Sequence, residues 1–145
     1  MKIKGMNKFV IKVILILLFF INHLDGKFTI DNLKNVLGSE LVSCKEGTGF
    51  YRNGFCHTGA DDHGTHVVCA IVTEEFLQYT KSQGNDLITP RSYFPGLKPG
   101  DHWCLCGYRF EQARKAGKAP KVILNASHIR TLKFTPLEEL MKYAK

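Results

Sequence analysis

Apolar positions are unevenly spread along the chain. Phe9 to Ile21 is apolar except for Lys12, and Val13 to Ile21 is an unbroken run of nine. Lys2, Lys4, Lys8 and Lys12 precede this run, and the polar stretch Asn22-His23-Leu24-Asp25-Gly26 follows it. That is the order of a secretory leader. The run falls short of the roughly 20 residues a helix needs to span a bilayer. Residues 1–26 are therefore expected to be a cleaved signal peptide, although Leu24 and Gly26 only loosely match a small-x-small cleavage pattern. Residues 27–34 are read as a short tether and residues 35–145 as a single globular domain, which places the protein in the secretory pathway or outside the cell. The alternative address is an organelle reached through a bipartite leader.

Beyond the leader the patterning changes. Cys44 to Gly64 is rich in glycine, and Asn53-Gly54 is a tight-turn signal between Phe50-Tyr51 and Phe55-Cys56, so the stretch reads as a loop-rich hairpin. Val67 to Val72 is a β-branched run. Thr73 followed by Glu74 and Glu75 marks a helix start, and Gly84 marks its end. Asn85 to Asp101 holds Pro90, Pro95 and Pro99 and reads as an irregular loop. A strand is expected over His102 to Cys106, a helix over Tyr108 to Ala116 with Gly117 as its stop, and two strands over 122–124 and 129–134. Thr135, Pro136 and Glu138 predict a capping box opening a last helix that carries Leu137, Leu140, Met141 and Ala144. The fold class is α+β: short, mostly antiparallel strands, about three helices and one long Pro/Gly-rich loop.

Composition narrows the class further. With 145 residues, 44% apolar and 23% charged, wholesale disorder, collagen-like repeats and a polytopic membrane protein are excluded. Loss of residues 1–26 removes four lysines and one aspartate, so the formal charge falls from +7 to +4. Much of the basicity belongs to the leader. Arg109, Arg114, Lys115, Lys118 and Lys121 cluster on and after one expected helix and read as a solvated face, with a polyanion patch as the alternative. No reading motif points to nucleic acid, and contact with a membrane is expected only through the leader during targeting.

Five cysteines are below the density of a disulfide-scaffold miniprotein. The odd count leaves one thiol over in an oxidising compartment. Cys104 and Cys106, at i and i+2 of an expected strand, share a face with His102, and a bond between the two would be strained. Metal ligation, disulfides and plain thiols all stay open on spacing alone. In a regular strand His66 and Val68 would face one way, and Val67 and Cys69 the other. His128 is expected to point inward. Asp62 beside His63 or His66 can orient an imidazole for general-base work near a cysteine nucleophile; Asp62-His63-Gly64 is also turn chemistry.

The strings Asn35-Val36-Leu37-Gly38, Thr48-Gly49-Phe50-Tyr51-Arg52, Gly64-Thr65-His66, Gly84-Asn85-Asp86-Leu87 and Phe94-Pro95-Gly96-Leu97-Lys98-Pro99-Gly100-Asp101, followed by Trp103-Cys104-Leu105-Cys106, resemble an uncharacterised, mainly bacterial family, domain of unknown function 2237. The resemblance covers Asn35 to Ala144 and puts Cys44, Cys56, Cys69, Cys104, Cys106, His66 and His128 on motif positions. The chain departs from the family pattern in shorter loops after Cys44 and before Phe94, in Asn53 and His102, and in Phe110 where Trp is common. Because bacterial members look cytosolic, the resemblance implies cysteines that act as metal ligands or redox thiols. It implies no activity.

These observations lead to a small secretory-route protein with a Cys/His metal or thiol-redox site. The preferred group is Cys56, His66, Cys104 and Cys106, with zinc or iron as the metal. The rival is a non-catalytic binding module that presents the Thr89 to Asp101 loop, with structural cysteines, to a small molecule or a protein. Neither reading decides whether the protein is an enzyme.

Overall fold

The computed structural model describes residues 33–145, which form one compact unit. The expected leader, and the tether up to residue 32, lie outside the described residues. Leu33 and Lys34 already belong to the domain, for Lys34 bridges to Glu40.

A three-stranded antiparallel sheet lies at the centre, in the order β2-β1-β3, with β1 His66–Ile71, β2 His102–Cys106 and β3 Lys121–Val122. Helix α1 (Glu74–Ser82) follows β1, α2 (Gly107–Lys115) follows β2 without a break, and α3 (Leu137–Met141) ends the domain. This is the α+β architecture that the patterning predicts. Val68 and Ala70 of β1 join Phe76, Leu77, Leu105, Phe110, Val122 and Leu140 in the main core. A second cluster holds Cys44, Cys56, Cys69, Cys104 and Ala126. Among the described residues no helix is long and apolar enough to cross a membrane.

Local chemistry explains where expectation and structure agree. Thr73 Oγ1 accepts the Phe76 N–H at 3.1 Å, leaving Glu74 and Glu75 in the first turn of α1, where the helix dipole favours anions. Gly84, at φ +83°, turns the chain out of that helix, a conformation a side chain would oppose.

Four local expectations differ from the structure. The strand expected over 129–134 is a 3₁₀ turn, Ile129–Lys133. The His128 N–H already occupies the Val67 carbonyl, and His128 Nδ1 accepts the Arg130 N–H, so the chain turns where the central strand ends. The capping box at Thr135 does not form. Thr135 donates its hydroxyl to Glu111 Oε2 at 2.6 Å, Pro136 takes the N-cap position, and the helix starts at Leu137. The same carboxylate also accepts from Arg114. The glycine-rich stretch makes no hairpin ladder either. Cys44 donates to the Gly54 carbonyl and Gly54 to that of Thr48, while Cys56 bridges to Ser127. The third strand is also shorter than expected, and Leu124–Ala126 is a 3₁₀ turn.

Candidate functional site

The site lies where β1 and β2 begin and end. The two strands pair His66 with Cys106, then slip at a bulge between His66 and Val68, and resume with Val68 opposite Leu105 and Cys69 opposite Cys104. Directly opposed residues share a face of the sheet, and a bulge adds one residue to one strand. His66 and Cys69, which a regular strand would set on opposite faces, therefore stand on one face with Cys104 and Cys106. The expectation fails at the bulge.

Four of these sulfurs are bonded. Cys44 and Cys69 form one disulfide, and Cys56 and Cys104 a second. Cys69 and Cys104 are cross-strand neighbours, so the two bonds pin both ends of the Cys44 to Cys56 loop side by side onto the sheet. Cys106 is the free cysteine, half-buried. Of the group preferred from sequence, Cys56 and Cys104 thus hold each other, whereas His66 and Cys106 are opposite one another in the strand register. Among the described residues, the groups of three or more donors within 4.8 Å of one another are Cys44, Cys56 and Cys104, and Cys44, Cys69 and His102. His66 and Cys106 belong to neither.

His66 is held from behind. Its Nδ1 lies 2.6 Å from Asp62 Oδ1, and its backbone N–H donates to Asp62 Oδ2 at 2.8 Å. An ionised carboxylate only accepts, so Nδ1 carries the proton and Nε2 is the ring nitrogen left as an acceptor. Burial pushes the Asp62 carboxyl up. Hydrogen bonds from the His66 backbone, the His66 ring and the Thr58 hydroxyl outweigh it and hold the group below its ordinary value. The ring is also stacked on Phe50, centroids 6.0 Å apart. Gly64 leaves the space the imidazole fills, since a Cβ there would run into the ring. Thr65, between them, sits at φ +51°, a strained conformation for a β-branched residue. Its carbonyl accepts the Gly107 N–H at 3.0 Å, which ties the His66 segment to the start of α2.

Cys106 is the residue at which β2 becomes α2, the N-cap of a nine-residue helix. The first-turn N–H groups of a helix have no carbonyl partner within it and favour a nearby anion. In front of His66 a cleft of about 250 Å³ is lined by Phe50, Arg52, Arg91, Tyr93, Phe94 and Trp103 among others. A smaller recess of about 40 Å³ adds Cys106 and Arg109, and His66, Asn85, Leu87, Trp103 and Cys104 line both. Arg52 stacks on Trp103, 4.8 Å from the ring centre, and bonds the Gly49 carbonyl. Arg91 is exposed and makes no side-chain hydrogen bond among the described residues. The one carboxylate on the cleft wall, Asp86, is held well below the carboxylate range by the Thr89 hydroxyl and the Thr89 and Ile88 N–H groups, with Lys81 adding to the effect. The cleft is cationic where it is open.

The profile of the family described as "Uncharacterized protein conserved in bacteria (DUF2237)" matches residues 34–144. The chain belongs to this family. The DUF2237 match takes in all the strands and helices above and every residue of the site, and the family carries no assigned activity. No curated protein matches the chain.

His63, the other candidate partner of Asp62, is exposed and outside the site. His128 is buried, as expected. The sequence reading missed Arg52, Arg91 and Phe50 as cleft residues. A signal was present, since Phe50-Tyr51-Arg52 flanks the Asn53-Gly54 turn, but a turn motif says nothing about which strand its neighbours will cover.

One consequence concerns acid. Because the folded pKa of Asp62 is depressed, its pairing stabilises the fold fully above the unfolded value, about 3.9, and is lost as pH falls through the folded value. Denaturant unfolding from pH 6 down to pH 2.5 should show stability falling below about pH 4, and falling less in Asp62→Asn. An identical decline in both proteins contradicts the assignment.

Proposed function

We propose that the protein is a monothiol redox protein in which Cys106 exchanges with a small anionic thiol or disulfide. The observation that carries this reading is the opposition of the free Cys106 to His66, whose ring is oriented by Asp62. His66 Nε2 takes the Cys106 proton. The sulfur attacks one sulfur of a disulfide, the S–S bond breaks, and the leaving half departs as a thiolate. A second small thiol then attacks the mixed disulfide and frees Cys106. Arg91 and Arg109 draw the anion in, while Phe50 and Trp103 give it an apolar wall. Delivery through the secretory route is part of the proposal; two disulfides and the order of the leader support it. Zinc or iron at Cys56, His66, Cys104 and Cys106 would require the Cys56–Cys104 bond to open first.

The test compares dithiobis(nitrobenzoate), an aromatic dicarboxylate, with cystamine, a diammonium, each rate divided by that of free cysteine with the same reagent. The normalised rate should be at least 10-fold higher for the anion and should converge on that of the cation at high salt. An equal or higher normalised rate for the cation overturns the reading.

A second reading is a non-catalytic binding module. Its support is that Arg91, Tyr93 and Phe94 of the Thr89 to Asp101 loop form one wall of the cleft, with Tyr93 73% exposed. It predicts that Cys106→Ser leaves ligand binding and biological activity intact.

A further inference from the structure

The two disulfides are close enough to be one site. The sulfurs of Cys44, Cys56 and Cys104 lie within 4.8 Å of one another, and Cys69 is bonded to Cys44. Cys56 and Cys69 are fully buried, Cys104 and Cys44 nearly so. A tetrahedral Zn²⁺ site with bonds of about 2.3 Å spaces its sulfurs about 3.8 Å apart. Cys44 Sγ already lies within 4.8 Å of both sulfurs of the Cys56–Cys104 bond. The bonded pairs must separate by less than about 2 Å each, and Cys69 must move with Cys44 toward the other two sulfurs, which side-chain rotation can supply.

We propose that on reduction Cys44, Cys56, Cys69 and Cys104 become a tetrathiolate site for a thiophilic divalent cation of the Zn²⁺ type. The inference does not depend on the Cys106 reading. Each disulfide receives two electrons and two protons from a dithiol, which closes to its own disulfide, so two dithiols yield four thiols. The cation then displaces four protons and forms four metal–sulfur bonds. Disulfides and metal cross-link the same elements: the Cys44 to Cys56 loop, β1 and β2. The fold can pass from one clasp to the other without rearranging its strands. The surroundings suit anionic sulfur. The His102 ring donates from Nδ1 to the Cys44 carbonyl at 3.2 Å, which fixes its tautomer, and its imidazole lies within reach of Cys44 and Cys69. The Thr48 hydroxyl is 3.7 Å from Cys104 Sγ. The site differs from the group expected from sequence, for it includes Cys44 and Cys69 and omits His66 and Cys106.

The experiment reduces the full-length chain with a phosphine, removes the reductant under argon and titrates with Co²⁺. One Co²⁺ per chain should bind, with the intense visible bands and sulfur-to-metal charge transfer of a tetrahedral thiolate site, and one Zn²⁺ should displace it. The oxidised chain should bind none. Cys106→Ser and His66→Ala should leave the bands unchanged, and Cys44→Ser should weaken binding at least 10-fold. Should Cys44→Ser fail to fold, the unsubstituted chain and Cys106→Ser still decide. No stoichiometric Co²⁺ on the reduced chain, or loss of the bands in Cys106→Ser, overturns the proposal.

Discussion

His66→Ala should slow the attack of Cys106 on a small disulfide by roughly 10-fold, because an unassisted thiol is only a few per cent thiolate at neutral pH. The substitution removes the only imidazole opposite Cys106 in the strand pair and leaves the cleft arginines in place. Gly64→Ala should come close to the same loss by a different route. Its Cβ would occupy the space of the His66 ring, so the imidazole must leave the Asp62 carboxylate or the loop must shift. Stopped-flow exchange with dithiobis(nitrobenzoate) measures both, and thermal midpoints show whether the variants remain folded. If His66→Ala folds and reacts within 3-fold of the parent, His66 has no part in the chemistry.

The second large effect is on stability. The Cys56–Cys104 disulfide closes a sequence separation of 48 residues, for which the chain-entropy account gives about 4 kcal/mol. Cys56→Ala with Cys104→Ala should lower the unfolding free energy by about that amount in denaturant, with Cys106 still free. Alanine suits the test because it buries no hydroxyl among the sulfurs. A loss below about 1 kcal/mol would show that burial of the cluster, rather than the cross-link, holds the Cys44 to Cys56 loop.

These effects rest on features of unequal visibility in the sequence. The His102 to Cys106 strand and the Thr73 cap were legible because each is written in a short run of residues. The 3₁₀ turn at Ile129 was not, since its apolar pattern suits a strand and the deciding fact is that Val67 had already accepted the His128 N–H. Thr135 satisfies every local rule for a cap, yet its hydroxyl bonds Glu111 on another helix and Pro136 takes the cap position. At the site, Asp62 and His66 could be named as partners because they are four residues apart. Their alignment with Cys106 depends on one extra residue between His66 and Val68, and nothing local announces a bulge. The pairing of the cysteines is equally non-local. Cys44 reaches Cys69, and Cys56 reaches Cys104, only once the loop lies across two strands.

Competitive alkylation with peptide mapping tests most directly whether Cys106 is the single reactive thiol. The unreduced full-length chain is treated with substoichiometric iodoacetamide beside a free-cysteine peptide, then digested without reduction. The predicted result is label on Cys106 alone, incorporated faster than into the peptide and slowed in His66→Ala, with Cys44 to Cys69 and Cys56 to Cys104 recovered as linked peptides. Label on any other cysteine, or Cys106 reacting no faster than the peptide, contradicts the account.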